Sequence, residues 1–183
     1  VWSFFIEALM ADSISPPSFD WTLLLKWTLA CTLGWLIGWA LLGEIWIGPV
    51  LGLAQWLALR ELSPRSSWWI VATTVGWLAG WWLLVSGVLV SPGSGFISSL
   101  FGGVVAGTLV GVAQWLLLRR WLPSAVVWVT ANALGWALGF AGLLGGVLTG
   151  AVIGAVTGVA LEWLVRNAAT LDLLDSINNE SGG

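Results

Sequence analysis

The stretch Gly107 to Phe140, GTLVGVAQWLLLRRWLPSAVVWVTANALGWALGF, decides the fold, because the chain contains it twice. Gly48 to Trp81 aligns with it without a gap at an offset of 59 positions. Gly48, Gly52, Ala54, Gln55, Trp56, Leu57, Leu59, Arg60 and Pro64 meet identical residues, and so do Trp69, Ala72, Gly76, Trp77 and Gly80 further on. Identity of that density at one fixed spacing marks an internal duplication.

Composition names the solvent. With 58% hydrophobic residues, 8% charged residues and a mean hydropathy of +0.95, the chain lies far from soluble domains, in which about a quarter of residues are charged. A lipid bilayer is the environment that fits. The aromatic set is 17 Trp and six Phe with no Tyr, and there is no His. Trp favours the water–lipid boundary, where both its ring and its N–H are accommodated, so Trp27, Trp69 and Trp128 are expected to be interface anchors. Cys31 stands alone, which makes an intrachain disulfide impossible and leaves no basis for a Cys-based metal site. A net charge of −3 without clustered Lys and Arg gives no reason to expect nucleic acid as a partner.

Charge then divides the chain. Residues 1–20 carry Glu7, Asp12, Asp20 and the turn Ser15-Pro16-Pro17-Ser18, and form a cytoplasmic or interfacial segment in which Trp2 to Leu9 could lie as a short surface helix. Ser66 to Leu118 is uncharged and too long for one crossing, as is Trp121 to Leu161, so each is read as two spans, broken at Ser91–Gly95 and at Gly145-Gly146. The result is an all-α integral membrane bundle of six transmembrane helices over 21–166, built from three parallel two-helix repeats. The approximate spans are 21–43, 45–60, 68–90, 97–119, 124–144 and 146–165. The acidic tail 167–183 is expected to be cytoplasmic, in part a short amphipathic helix, and disordered from Asn178. Lys26, Arg60, Arg65, Arg119, Arg120 and Arg166 all fall on one side of such a bundle, which puts both termini in the cytoplasm by the positive-inside rule.

Two helix types alternate. The first has Trp, a small or polar residue four on, then Gly-Trp-x2-Gly: Trp27, Cys31, Gly34, Trp35, Gly38; Trp69, Thr73, Gly76, Trp77, Gly80; and Trp128, Asn132, Gly135, Trp136, Gly139. The second runs Gly48, Gly52, Gln55, Trp56, Arg60 and Gly107, Gly111, Gln114, Trp115, Arg119. A decayed third copy keeps Gly154, Gly158 and Arg166, with Leu161 and Glu162 where Gln and Trp would stand. Residues four apart share a helix face, so these glycines make bare stripes. In lipid, where hydrophobicity cannot drive helices together, such stripes let two backbones approach closely. Gln55 with Thr73, and Gln114 with Asn132, sit at matching depth across a hairpin and are expected to hydrogen-bond in pairs, each worth about 0.6–2 kcal/mol.

Functional signals are few. Glu162 is the intramembrane ionisable residue, and its ordinary reading is a rim pair with Arg166 four residues on. The Gln55 and Gln114 carbonyls are candidate ligands for the magnesium of a chlorophyll, with neighbouring Trp against a porphyrin or carotenoid; the simpler role is a helix clamp. Trp35, Trp77 and Trp136 lie about 12 Å deeper than the boundary Trp set. No catalytic set, P-loop or metal cluster is present in the sequence, so no enzymatic activity is expected.

The Gly-x3-Gly-x2-Gln-Trp-Leu-x-Leu-Arg and Gly-Trp-x2-Gly elements, across residues 27–166, resemble those of small multi-pass bacterial membrane proteins, often cyanobacterial. The resemblance implies a bacterial inner membrane or thylakoid location and carries over no activity and no functional residue. The leading expectation is a non-catalytic scaffold, assembly factor or accessory subunit that contacts other membrane proteins or itself. A pigment- or lipid-binding subunit comes second, with chlorophyll, carotenoid or lipid as ligand, and a small-solute channel or transporter third.

Overall fold

The structure is a computed structural model that describes residues 18–61, 67–87, 95–142 and 146–181. It is all-helical, with no strand among the described residues. The helices are α1 (Trp21–Leu36), α2 (Ile47–Leu59), α3 (Trp68–Val85), α4 (Phe96–Leu118), α5 (Val127–Phe140) and α6 (Thr149–Ser181). The expected surface helix at Trp2–Leu9 and most of the Ser91–Gly95 break lie outside the described residues. Four stretches, Trp21–Leu42, Trp68–Val85, Phe96–Leu118 and Gly146–Ser176, are long and apolar enough to cross a membrane; Glu44–Leu59 and Val127–Phe140 are apolar but shorter.

Local chemistry sets the helix ends. Asp20 caps α1, its carboxylate accepting from the Thr22 N–H at 2.8 Å and the Leu23 N–H at 3.0 Å, two donors a helix start otherwise leaves without partners. At its far end α1 widens into a π-helical turn, Ile37–Leu42, and stops at Gly43, whose φ of 94° suits a residue without Cβ. A 3-10 turn, Glu44–Trp46, leads directly into α2. The tail departs from expectation. Instead of becoming disordered from Asn178, the backbone stays helical to Ser181, because no Gly or Pro interrupts the run between Val159 and Ser181.

Each helix packs on the next, and α6 packs back on α1, so the six close into a ring. Glycine arranges every seam. A Cβ on Gly34 would meet Leu51 of α2, and one on Gly48 would meet Trp77 of α3 at 2.8 Å. Gly76 and Gly80 face Val110 and Ala106 of α4; Gly107 and Gly111 face Asn132 of α5. Gly135 and Gly139 face Ile153 and Thr149 of α6, and Gly154 and Gly158 face Cys31 and Trp27 of α1. Gly38 and Gly52 complete the set against Ile47 and Ile70. All twelve glycines named from the sequence therefore lie inside the ring, and each is turned toward the helix that follows its own.

The same inward stripe of α1, α3 and α5 also carries Trp toward the axis. Trp27, Trp69 and Trp128 form a triangle of edge-on rings with centroids 5.7–5.9 Å apart. Trp35, Trp77 and Trp136 form a second triangle at 5.3–6.4 Å, in which Trp77 and Trp136 are stacked and Trp35 meets both edge-on. Such ring pairs contribute about 0.5–1.5 kcal/mol each beyond their contact area. This corrects the reading of Trp27, Trp69 and Trp128 as interface anchors: at 0%, 2% and 0% exposure they are core. Exposure falls instead to residues such as Trp21, Trp68 and Trp121, at 66%, 66% and 48%.

Gly76→Ala and Gly95→Ala separate close approach from general glycine loss. At Gly76 a Cβ would lie 2.6 Å from the Val110 Cα, whereas at Gly95 it would meet nothing within 4 Å. Denaturant titration in micelles is expected to show a loss of about 1–3 kcal/mol for Gly76→Ala and under about 0.5 kcal/mol for Gly95→Ala. Equal effects would contradict the seam geometry.

Candidate functional site

Indole N–H groups organise the interior polar chemistry. A Trp side chain can donate but not accept, and one buried without an acceptor costs about 1–3 kcal/mol. Each indole of the first triangle finds its acceptor on the helix preceding its own around the ring. Trp69 Nε1 donates to Gln55 Oε1 at 2.9 Å, Trp128 Nε1 to Gln114 Oε1 at 2.9 Å and Trp27 Nε1 to Thr157 Oγ1 at 2.9 Å. In the second triangle, Trp77 Nε1 donates to the Glu44 carbonyl at 2.8 Å and Trp35 Nε1 to the Gly146 carbonyl at 2.9 Å.

Because the indoles fix where the Gln oxygens point, they also aim the amide nitrogens. Gln114 Nε2 donates across the interior to Gln55 Oε1 at 3.0 Å and to Thr73 Oγ1 at 2.8 Å. Gln55 Nε2 lies 3.4 Å from the sulfur of buried Cys31. The expected pair Gln55–Thr73 is present but long, at 3.4 Å, because the Thr73 hydroxyl has a nearer acceptor in the Trp69 carbonyl at 2.9 Å. The expected pair Gln114–Asn132 is not among the hydrogen bonds of the described residues. Both amide protons of Gln114 are already committed to Gln55 and Thr73, and Asn132 donates back to the Trp128 carbonyl at 3.1 Å.

Thr157 was missed, and the reason is geometric. The partners of Gly150 and Gly154 on α1 include Trp35 and Cys31, which correspond to Trp136 and Asn132 facing Gly107 and Gly111. Gly150 thus matches Gly107, Thr157 matches Gln114 and Glu162 matches Arg119. The alignment that put Leu161 and Glu162 at the Gln and Trp positions is one helical turn out of register. With glycine at 146, 150, 154 and 158, a shift of four leaves the glycine pattern almost unchanged, so spacing alone could not choose. A Thr one residue before a stripe glycine and facing a Trp was the usable signal.

Several side chains named from the sequence are now placed. Gln55 and Gln114, considered as pigment ligands, are 3% and 0% exposed and face indole N–H groups. Glu162 is 2% exposed; its Oε1 accepts from the Asp20 N–H at 3.2 Å and lies 3.4 Å from Arg166 Nε, so the expected rim pair is formed. At the same rim, the Lys26 ammonium bonds Glu61 at 3.0 Å, and this hydrogen bond, with the lysine charge behind it, holds the Glu61 carboxyl below the usual carboxylate range. No group of three His, Cys, Asp or Glu side chains stands ready to hold a metal among the described residues.

Two cavities open near this end. One of about 680 Å³ has Leu59, Leu118, Leu161 and Trp69 among its lining residues, with Arg120 and Asp172 also on its wall. The other, of about 630 Å³, lies between the start of α1 and α6 and includes Glu162.

No protein-family model, curated protein or solved structure matches this chain. The geometry therefore carries the functional argument by itself.

Gln55→Leu and Gln114→Leu each remove the acceptor of one indole and are expected to cost about 1–3 kcal/mol in micelle unfolding. Since the two amides bond each other, the double variant should lose less than the sum of the single losses, with a coupling of about 0.5–3 kcal/mol. Strict additivity would contradict a shared network.

Proposed function

We propose that this chain is a non-catalytic integral membrane protein, a scaffold or accessory subunit of a membrane protein complex. In this reading it has six spans in three parallel hairpin repeats about an axis along the bilayer normal, with the arginine-bearing rim and both ends on the cytoplasmic side of a bacterial inner membrane. The two shorter helices cross where the bilayer thins to meet them.

The observation that carries the functional reading is the pair of Trp triangles on the axis. Six large side chains fill the space a conduction path would need, and the indoles of Trp27, Trp35, Trp69, Trp77 and Trp128, with Gln55, Gln114, Thr73 and Thr157, bond one another or nearby backbone. A transporter would use polar groups near the midplane to meet a solute; here those groups are engaged. The glycine stripes are occupied within the ring, so partners would meet the outer face, where Leu25, Leu29, Leu33, Val71, Val75 and Trp82 are exposed. A second reading, lipid binding, is favoured by the apolar cavity of about 680 Å³, a size typical of small-molecule sites.

Two experiments test this. In a Cys31→Ala background, an impermeant maleimide is expected to label Ser67→Cys from the cytoplasmic side and Ser86→Cys from the other; labelling of both from one side would overturn the span count. Extracted in mild detergent and sized by light scattering, the protein is expected to co-migrate with a partner or self-associate, and in liposomes to leave small-solute permeability unchanged. A clean monomer, or solute flux, would overturn the scaffold reading.

A further inference from the structure

The cavity of about 680 Å³ stands at the end of the axis. Leu59, Leu118 and Leu161 on its wall lie one helical turn beyond Gln55, Gln114 and Thr157, and Trp69 of the first triangle lines it too. Its walls come from α2, α3, α4 and α6 together, so it spans the mouth of the ring rather than a single seam. It reaches past the end of α4 to Arg120, and along the projecting part of α6 to Asp172. An apolar bowl at the watery end of a bundle marks a binding surface.

The chain that precedes α1 ends beside this mouth. Ser18 lies on the wall of the neighbouring cavity, which shares Val165 and Ala169 of α6 with the first. Residues 1–17 lie outside the described residues, and their sequence carries two relevant patterns. Trp2, Phe5, Ile6 and Leu9 recur at the spacings of three and four that make one face of a helix. The charged side chains in this segment are Glu7 and Asp12, both acidic. A helix that rests on a membrane surface is ordinarily rich in Lys and Arg, and an anionic cytoplasmic leaflet repels carboxylates. The mouth offers the opposite sign. Lys26 and Arg166 are paired with Glu61 and Glu162, whereas Arg60, Arg119 and Arg120 have no ion pair among the described residues. Against these three the cavity wall sets Asp172. Reach is ample: rounding one helix, about 10 Å wide, takes about three extended residues, and nine positions separate Leu9 from Ser18.

We propose that residues 2–9 dock in this cavity, laying their apolar face over Leu59, Leu118 and Leu161 and turning their carboxylate toward the arginines. The occupant is then the chain itself instead of a lipid. The inference does not depend on the scaffold reading.

The test uses the full chain in nanodiscs with Cys31→Ala as background. Leu9→Cys is paired with Ala168→Cys on the cavity wall, or with Leu57→Cys on the outer face near the same end, and treated with a short bis-maleimide. The Ala168→Cys pair is expected to give about tenfold more intrachain product than the Leu57→Cys pair. That yield is expected to fall about threefold with Arg120→Glu and to recover when Glu7→Arg is added. Equal yields from the two pairs would overturn the proposal. Product joining two chains would also overturn it, assigning the mouth to a second copy. If Ala168→Cys alone is shielded from maleimide while its pair with Leu9→Cys gives no product, a lipid fills the cavity and the proposal falls. Hydrogen exchange on the wild-type chain needs no variant to fold. The amides of residues 2–9 are expected to exchange about tenfold more slowly than in a free peptide of the same sequence, and equal rates would overturn the docking.

Discussion

In the membrane setting proposed above, everything in this bundle depends on how closely two helices can approach when no water is being expelled. Lipid is as apolar as leucine, so association has to come from contact itself and from polar groups that have nowhere else to bond. Glycine supplies the first: at seam after seam the space a Cβ would take is filled by the backbone or inner side chain of the next helix. Trp supplies the second. Its ring fills the axis that a ring of six helices leaves open, and its N–H demands an acceptor that a specific neighbour must present.

These two demands are complementary. A helix drawn close to its successor by glycine leaves the rest of its inward stripe to bulk, and in α1, α3 and α5 that bulk is indole. Gln55, Gln114 and Thr157 then answer the indoles, each from the preceding helix of the ring. The cross-bond from Gln114 to Gln55 ties α2 to α4, which do not follow one another in the ring. It also breaks strict equivalence, since Gln55 donates to a sulfur where Gln114 donates to an amide oxygen and a hydroxyl.

How legible was this in the sequence? Glycine placement read out well, because a four-residue spacing maps to one helical face with little ambiguity, and all twelve stripe glycines are buried. The Trp triangles did not, since boundary preference argued one way while the shared stripe of Trp27, Cys31, Gly34 and Gly38 argued the other. The stripe decides, because a residue on the contact face is buried whatever its depth. Polar partners were harder still. Proximity across a hairpin located Thr73 near Gln55, but which hydrogen bonds form is settled by donor count, and Gln114 has two protons already committed elsewhere. Register in α6 was beyond reach of glycine spacing, whose pattern there nearly repeats under a one-turn shift. The α6 tail was misjudged because polar composition was weighed above the lack of any helix-breaking residue.

The absence of tyrosine from the whole sequence, set beside two clusters of indoles nearly in van der Waals contact, has an optical consequence. Apart from six weakly absorbing Phe, the aromatic chromophores of such a chain are all indoles, and rings near 5–6 Å from one another are close enough for their transitions to couple. The near-ultraviolet dichroism of this protein is therefore dominated by its axis. It reports the handedness and spacing of the two indole clusters with no dye attached and no residue replaced.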